Sequence, residues 1–202
     1  MSLSRRMMLV VAASISLGPV AFAQASAPTR VRGTIDSIDA HEMRVTTRAG
    51  DKITLKLADD VGVTVIAPIA IDAIKPGSFI GTAAVTQPDG TLKALEIQVF
   101  PESMRGVGEG HRPWDLGAGS TMTNGTVGDL KMSNGRLLTL TYKGGEQKVF
   151  VPENAPVITY EAGTRAMLTP GAHVIVTATR GSDETLTATR IGVGKDGLVP
   201  PM

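Results

Sequence analysis

Apolar and polar residues alternate in short runs along most of the chain, which is the period of half-buried β-strands. These runs lie at residues 31–38, 42–48, 52–57, 78–86, 91–99, 172–179 and 185–193. In the second half, Asn134-Gly135 and Gly144-Gly145 are typical of tight hairpin turns. The pattern predicts an all-β protein.

The two halves of the chain carry the same signals in the same order. Gly33-Thr34-Ile35 matches Gly125-Thr126-Val127, Lys75-Pro76-Gly77 matches Thr169-Pro170-Gly171, and Leu95-Glu96-Ile97 matches Thr189-Arg190-Ile191. The offset is 92 residues at the first match and 94 at the last. Ordered matches at a nearly constant offset indicate a tandem duplication.

Within each copy, the alternation stops between the third and later strands. Residues 68–74 and 161–168 are typical of one or two helical turns, and Pro-Gly follows each. Three strands, a short helix and two strands is the element order of the OB-fold, a small five-stranded barrel. We therefore predict two tandem OB-like β-barrels with one short helix per repeat, at residues 31–99 and 125–193, joined by a glycine-rich connector at residues 100–124.

The first 23 residues have the features of a secretory signal peptide. Arg5 and Arg6 precede an apolar run, and Ala21-Phe22-Ala23 provides small residues before a cut at Gln24. The arginine pair is compatible with either the Sec or the twin-arginine route. We expect export to the periplasm, with short tails at residues 24–30 and 194–202 flanking the repeats.

Composition narrows the functional classes. Without residues 1–23, the 202-residue chain retains 179 residues, and its net charge is −1 because the signal holds two arginines and no acids. Balanced charge and few aromatic residues disfavour a nucleic-acid partner, and no second apolar stretch predicts a membrane span in the mature protein. There is no cysteine. The sequence lacks the nucleophile-elbow, zinc-helix and P-loop motifs, so we predict a protein that is not an enzyme.

The start of the first repeat supports the same expectation. Residues 31–38 read Val-Arg-Gly-Thr-Ile-Asp-Ser-Ile, a V-x-G-x-I-x-x-I pattern. The mature chain resembles uncharacterised bacterial secreted proteins that are built from tandem small β-barrel repeats with this opening. The resemblance implies an exported β-barrel protein and implies no activity.

The connector contains the unusual residues of this chain, including its one tryptophan, Trp114. Because a tryptophan can bury a large apolar face, we expect Trp114 to pack at the junction of the two barrels, with Pro113 stiffening its approach. The same segment could hold a small anionic or peptide ligand through Arg105, His111 and Arg112, beside Trp114. The expected partner is a periplasmic protein or a small ligand.

A metal site is the alternative for this segment. Thioether and imidazole groups are ligands that suit Cu(I), and Met104, His111 and Met122 supply them. With Trp114 as a cap, this set resembles the site of periplasmic OB-fold copper chaperones. It departs from that pattern because the residues lie in a glycine-rich connector and Met122 has no second methionine beside it. We predict an exported binding or structural protein with no cofactor, with copper binding as the alternative.

Overall fold

The computed structural model describes residues 28–131 and 136–202, so the predicted signal peptide and the Asn134-Gly135 turn lie outside the described residues. Within these two ranges, twelve strands follow one another: β1 (Thr29–Ile38), β2 (Glu42–Thr47), β3 (Lys52–Pro68), β4 (Phe79–Thr86), β5 (Leu92–Val99), β6 (Gly110–Pro113), β7 (Ser120–Lys131), β8 (Arg136–Tyr142), β9 (Gly145–Val151), β10 (Val157–Ala162), β11 (His173–Arg180) and β12 (Leu186–Gly194). The all-β prediction is confirmed.

The helical segments are shorter than the sequence predicts. Within the described ranges, the helical elements are single 3-10 turns, including Ile71–Ala73 in the first repeat and Arg165–Met167 in the second. The prediction of a short helix over residues 161–168 is wrong at its start because Glu161 and Ala162 end β10, where they pair with Val65 and Thr64 of β3. Pairing with a neighbouring strand satisfies backbone groups that a helix would otherwise have to satisfy.

Five strands close into a barrel, which we call ring A. β1, β2 and β3 pair antiparallel in sequence order, β11 pairs with β1, and β12 pairs with both β11 and β3. The β12–β3 pairing is parallel and closes the ring. Side chains of alternate residues, such as Ile35, Val45, Leu55, Val176 and Ile191, fill the interior and are almost completely buried.

A second set of five strands, which we call ring B, has the same connectivity. β7, β8 and β9 pair in sequence order, β4 pairs with β7, and β5 pairs with β4 and β9. The parallel β5–β9 contact consists of two residue pairs, Leu92 with Val149 and Lys93 with Phe150. A separate apolar core, which includes Ile80, Ile97 and Leu138, lies among these strands.

Each ring therefore combines strands of both repeats. Ring A takes β1–β3 from the first repeat and β11–β12 from the second, whereas ring B takes β7–β9 from the second and β4–β5 from the first. The predicted ranges 31–99 and 125–193 consequently do not correspond to separate barrels. The physical cause lies in β3, whose 17 residues carry the chain beyond the pairing with β2. The chain leaves ring A at Pro68, so the next two strands complete the other ring.

Strand β10 joins the two rings. It pairs antiparallel with the second half of β3 and parallel with β5, so one backbone ladder runs from ring A to ring B. At this seam, Ile66, Ile158 and Met202 form a third buried cluster, and Tyr160, Ile175 and Leu198 pack against it. The outer faces of the two rings thus face one another.

The connector is more structured than its glycine content indicates. Residues 110–113 form β6, which pairs with Thr121–Asn124 of β7, and β7 already begins at Ser120. The segment predicted as a glycine-rich connector, residues 100–124, therefore contains β6 and the first residues of β7. Backbone bonds from Trp114 N to Ser120 O and from Ser120 N to Gly117 O close the loop between β6 and β7. This loop holds Trp114 against ring A.

Candidate functional site

A cavity of about 290 Å³ lies between the two rings, and we call it the inter-ring cavity. Ring A contributes the outward-facing residues of β1, β3, β11 and β12. Ring B, β10 and the connector contribute the opposite walls. Its lining includes Arg30, Gly62, Gln98, Phe100, Met104, Arg112, Trp114, Met122, Asn124, Tyr160, Arg190 and Met202. The outward-facing sides of the two rings, together with the connector, enclose this space.

The connector side of the cavity is formed around the Trp114 indole ring. The Arg30 guanidinium carbon lies 3.9 Å from the ring centroid, and that of Arg112 lies 5.5 Å from it. Both distances are within the range of cation–π attraction. Arg30 belongs to β1 and Arg112 to β6, so the indole ring connects the connector to ring A.

An ion pair fixes the same loop. Asp115 accepts hydrogen bonds from both terminal nitrogens of Arg32, at 3.2 and 2.7 Å, and lies 3.7 Å from Arg30. The Arg32 side chain is mostly buried. Burial, the largest single effect, raises the pKa of Asp115, but the hydrogen bonds from Arg32 and the positive charges of Arg32 and Arg30 together outweigh it, so the pKa lies below its ordinary value. The bidentate geometry orients the loop that carries Trp114.

The opposite wall is aromatic. Phe100 follows β5 and stacks on Tyr160 of β10, with ring centroids 5.5 Å apart and planes at 18°. The Tyr160 hydroxyl donates to Gln98 Oε1 at 2.7 Å. Burial and the nearby Glu96 carboxylate raise the pKa of Tyr160 above its ordinary value, so the phenol stays neutral. This wall offers a flat apolar surface with a fixed polar edge.

Behind this wall lies a buried carboxyl group, Glu96. Its side chain is 1% exposed, and its Oε1 accepts a hydrogen bond of 2.7 Å from Gln98 Nε2. Among the described residues, Oε2 has no hydrogen-bond partner. Burial raises the pKa of Glu96 from 4.5 to about 7, although Gln98 and the charges of Arg32 and Arg48 lower it in part. The carboxyl group therefore titrates near neutral pH.

Asn124 occupies the floor of the cavity on β7 and is 4% exposed. Its Nδ2 donates to the Val107 carbonyl at 2.9 Å, which ties the connector to ring B. The side chain lies where a Cβ of Gly81 would stand, so glycine at residue 81 makes room for it. Within the described part of the chain, Asn124 Oδ1 and Trp114 Nε1 are buried atoms without hydrogen-bond partners.

The structure brings together some of the predicted site residues and separates others. Met104, Arg112, Trp114 and Met122 all line the inter-ring cavity. His111 is exposed on the other face of β6, where its Nδ1 lies 2.8 Å from Thr123 Oγ1 and its ring stacks on Tyr142. Adjacent residues of a strand point to opposite faces, so His111 and Arg112 cannot share one site.

Arg105 also lies outside the cavity. Its guanidinium donates to the Glu102 carboxylate at 2.6 and 2.8 Å and to the Gly77 carbonyl at 3.0 Å. These bonds tie the 3-10 turn Glu102–Met104 to the loop before β4. Of the four residues predicted to form a ligand or junction site, Arg112 and Trp114 lie at the junction, and Arg105 and His111 do not.

Sequence reasoning missed Arg30, Glu96, Gln98, Asn124 and Tyr160. Arg30 falls in the predicted tail, although β1 begins at Thr29. Glu96 and Gln98 occupy the polar positions of an alternating strand, which normally face solvent. A charged residue among apolar neighbours was the available signal, but alternation alone does not reveal that another sheet covers the polar face.

Comparisons with known proteins identify little of this chain. Residues 149–192 match the model of a domain of unknown function (DUF5666), a segment that runs from the end of β9 into β12. No curated protein and no solved structure matches the chain. Among the described residues, no helix is long and apolar enough to cross a membrane, and no group of three or more His, Cys, Asp or Glu side chains is placed to hold a metal ion.

Proposed function

We propose that this chain is an exported, non-enzymatic protein that binds a small molecule in the inter-ring cavity. The observation that carries the proposal is that the connector closes this cavity with Met104, Arg112 and Trp114, while both rings supply the remaining walls. The connector has no counterpart inside either repeat. The segment that distinguishes this chain from a plain pair of repeats therefore forms one wall of a cavity that residues of both repeats line.

The proposed architecture is a pair of OB-like barrels that exchange their last two strands. In each ring, the third strand pairs in parallel with the final strand, and the first strand pairs with the strand before it. This order supports the OB-like assignment. The exchange leaves β3 and β10 in the seam, so the cavity is part of the fold and does not depend on a flexible domain contact.

The size and lining of the cavity favour a small ligand. Small-molecule sites have volumes of about 300–1,000 Å³ and combine apolar walls with a few polar groups. At about 290 Å³, the inter-ring cavity lies just below this range, and it has Phe100, Trp114 and Met122 as apolar walls. Gln98 and Asn124 supply neutral polar groups that are held by hydrogen bonds to the protein.

A cavity-filling variant tests the proposal. Gly62 lines the cavity, and a Cβ atom placed there would lie 3.6 Å from Arg190 Cγ and 4.0 Å from the Thr189 carbonyl oxygen, which is ordinary van der Waals contact. Gly62→Phe should therefore fold and occupy the cavity. Gly128→Phe is the matched control, because Gly128 also lies in a strand, has comparable free space, and is absent from the cavity lining.

The assay is mass spectrometry of small molecules released by denaturing each protein after native purification. We expect one or more compounds to accompany the wild type and Gly128→Phe at stoichiometric levels and to be lost from Gly62→Phe. Equal recovery from both variants would contradict binding in the inter-ring cavity. The proposal would also be contradicted if no compound is released from any of the three proteins and none is released from folded wild type that has been incubated with an extract of its own host.

Export is a separate part of the proposal, supported by the pattern at residues 1–23. We expect the protein in the periplasmic fraction, with a mature N-terminus at Gln24. Replacing Arg5 and Arg6 with lysine should leave Sec export unchanged and abolish twin-arginine export. A full-length protein that retains its first residues in the cytoplasm would contradict the export proposal.

Copper binding is the second candidate function, and one observation favours it. Met104 and Met122 line the same cavity as Trp114, and Met202 adds a third thioether to that lining. Thioethers favour Cu(I) over harder ions. His111 lies on the opposite face of β6, so a copper site in the cavity would use methionine sulfurs without that imidazole.

Titration with Cu(I) against a competing chelator, followed by Trp114 fluorescence, tests this candidate. If copper binds in the cavity, Met122→Leu should weaken binding and His111→Ala should not. Leucine is nearly isosteric with methionine, so the change removes the sulfur with little effect on packing. Equal affinities for the wild type and Met122→Leu would rule out the cavity as a copper site.

A further inference from the structure

Two positive charges share one half-buried aromatic ring at the inter-ring cavity. Arg30 and Arg112 both lie over the Trp114 ring, at 3.9 and 5.5 Å from its centroid. Like charges that are placed close together and partly removed from water repel one another. Burial, together with the charge of Arg30, lowers the pKa of Arg112, which is consistent with this repulsion. The arrangement costs free energy unless an anion compensates it.

The protein compensates only part of this charge. Asp115 is bound by Arg32 at 2.7 Å and reaches Arg30 at 3.7 Å. In the described ranges, Arg112 forms no ion pair, and its hydrogen-bond partner is the neutral carbonyl of Gly108, at 2.7 Å. The Arg112 charge is therefore not neutralised by a carboxylate.

The cavity lining has the same imbalance. Three arginines, Arg30, Arg112 and Arg190, line it, and no Asp or Glu is found among the described lining residues. Glu96 lies close to this wall, but its carboxyl group is bonded to Gln98, and the guanidinium groups that act on it are those of Arg32 and Arg48. It therefore does not serve the arginines of the cavity.

We propose that the ligand of the inter-ring cavity is a small aromatic acid whose anionic group is received by Arg30 and Arg112 and whose ring packs among Trp114, Phe100 and Met122. This inference rests on the proposed binding function and adds the chemical class of the ligand. Guanidinium groups form strong, charge-assisted hydrogen bonds with carboxylate, sulfonate and phosphate oxygens. The aromatic and thioether walls favour a flat, polarizable ring system.

Three probes that share one ring system separate charge from shape. They are naphthalene-2-sulfonate, which is anionic, 2-naphthylmethanol, which is neutral, and 2-naphthylmethylammonium, which is cationic. Binding of each to the folded full chain is measured by isothermal titration calorimetry. We expect the anion to bind about tenfold or more tightly than the neutral probe and the cation to bind most weakly. Added salt screens the arginine charges, so it should weaken binding of the anion, strengthen binding of the cation and leave binding of the neutral probe unchanged.

Arginine variants locate the anionic group. Arg112→Gln should weaken binding of the sulfonate by about tenfold and leave the neutral probe within about twofold of the wild type. Arg105→Gln is the matched control, because Arg105 lies in the same connector and also donates to a backbone carbonyl, yet does not line the cavity. Arg30→Gln provides a second variant if Arg112→Gln does not fold.

The outcomes distinguish the ligand class from the site itself. Suppose that Gly62→Phe blocks all three probes. If the wild type then binds the three probes equally, or if the arginine variants bind the sulfonate as tightly as the wild type, the aromatic-acid inference is overturned and cavity binding stands. If Gly62→Phe and Gly128→Phe bind the sulfonate as the wild type does, the site is elsewhere and both proposals fail. Both proposals are supported if Gly62→Phe and Arg112→Gln weaken or lose sulfonate binding while the controls Gly128→Phe and Arg105→Gln retain it.

Discussion

Replacing the buried Glu96 with glutamine should stabilise this protein at neutral and alkaline pH. Glu96 is 1% exposed, and Gln98 donates to its Oε1, while its Oε2 has no partner within the described residues. A glutamine side chain keeps the shape and the acceptor of this group. It also remains uncharged at every pH, so Glu96→Gln mimics the protonated wild type.

The magnitude follows from the pKa of this carboxyl group. Burial raises it from 4.5 to about 7 in the folded protein. Each pKa unit corresponds to about 1.36 kcal/mol, so the ionised wild type should be about 3 kcal/mol less stable than a chain in which this group stays neutral. Because the folded state holds the proton more tightly than the unfolded state, the protonated Glu96 makes its full contribution to the free energy of unfolding below pH 4.5. This contribution is lost as pH rises to about 7.

The assay is urea denaturation at several pH values between 4 and 8.5, followed by Trp114 fluorescence. We expect equal free energies of unfolding for the wild type and Glu96→Gln near pH 4, a difference that widens up to pH 7, and a plateau above it. Glu153→Gln, at an exposed site, is the control and should show no comparable trend. A difference that does not change with pH, or a variant less stable than the wild type at pH 8, would refute the reasoning.

Three further predictions concern the seam, the strand pairing and the exchange. Trp114→Ala should lower the free energy of unfolding by about 1–3 kcal/mol, because the ring is half-buried; a loss below about 0.5 kcal/mol in urea denaturation followed by circular dichroism would contradict a role at the junction. Gly33→Ala should lower the free energy of unfolding by about 1–3 kcal/mol, because its Cβ would overlap the Thr46 carbonyl oxygen. Gly62→Ala should lower it by less than half as much, and similar melting temperatures for the two variants would contradict the close approach of β1 and β2. Cleavage at a protease site inserted at residues 117–119 should leave the two fragments in one complex on size-exclusion chromatography, because each ring contains strands from both sides of the cut; separation into two folded fragments would indicate that each repeat forms its own barrel.

The candidate site could be predicted from the sequence only in part. Trp114 was identified because a large aromatic residue in a glycine-rich connector has few roles other than packing or binding. Met104, Arg112 and Met122 were near it in sequence and remain near it in space. His111 was included for its chemistry, yet strand alternation in β6 turns it away, and the connector had given no periodicity from which that strand could be predicted.

The sequence by itself determined the class of this fold and most of its strands. Alternation with a period of two residues requires one face to be buried, and that requirement is local, so β1, β2, β4, β5, β11 and β12 lie close to their predicted ranges. The sequence also contains matched turns at a nearly constant offset, from which a duplication is predicted. Only the tertiary structure decided which strands share a ring. The two repeats have equivalent hydrophobic patterns, so the last two strands of either repeat could pair with the first three strands of either repeat and complete a ring. The long path of β3 and its pairing with β10 direct each pair to the other ring. The same exchange buries the polar face of β5, which places Glu96 and Gln98 beside the inter-ring cavity.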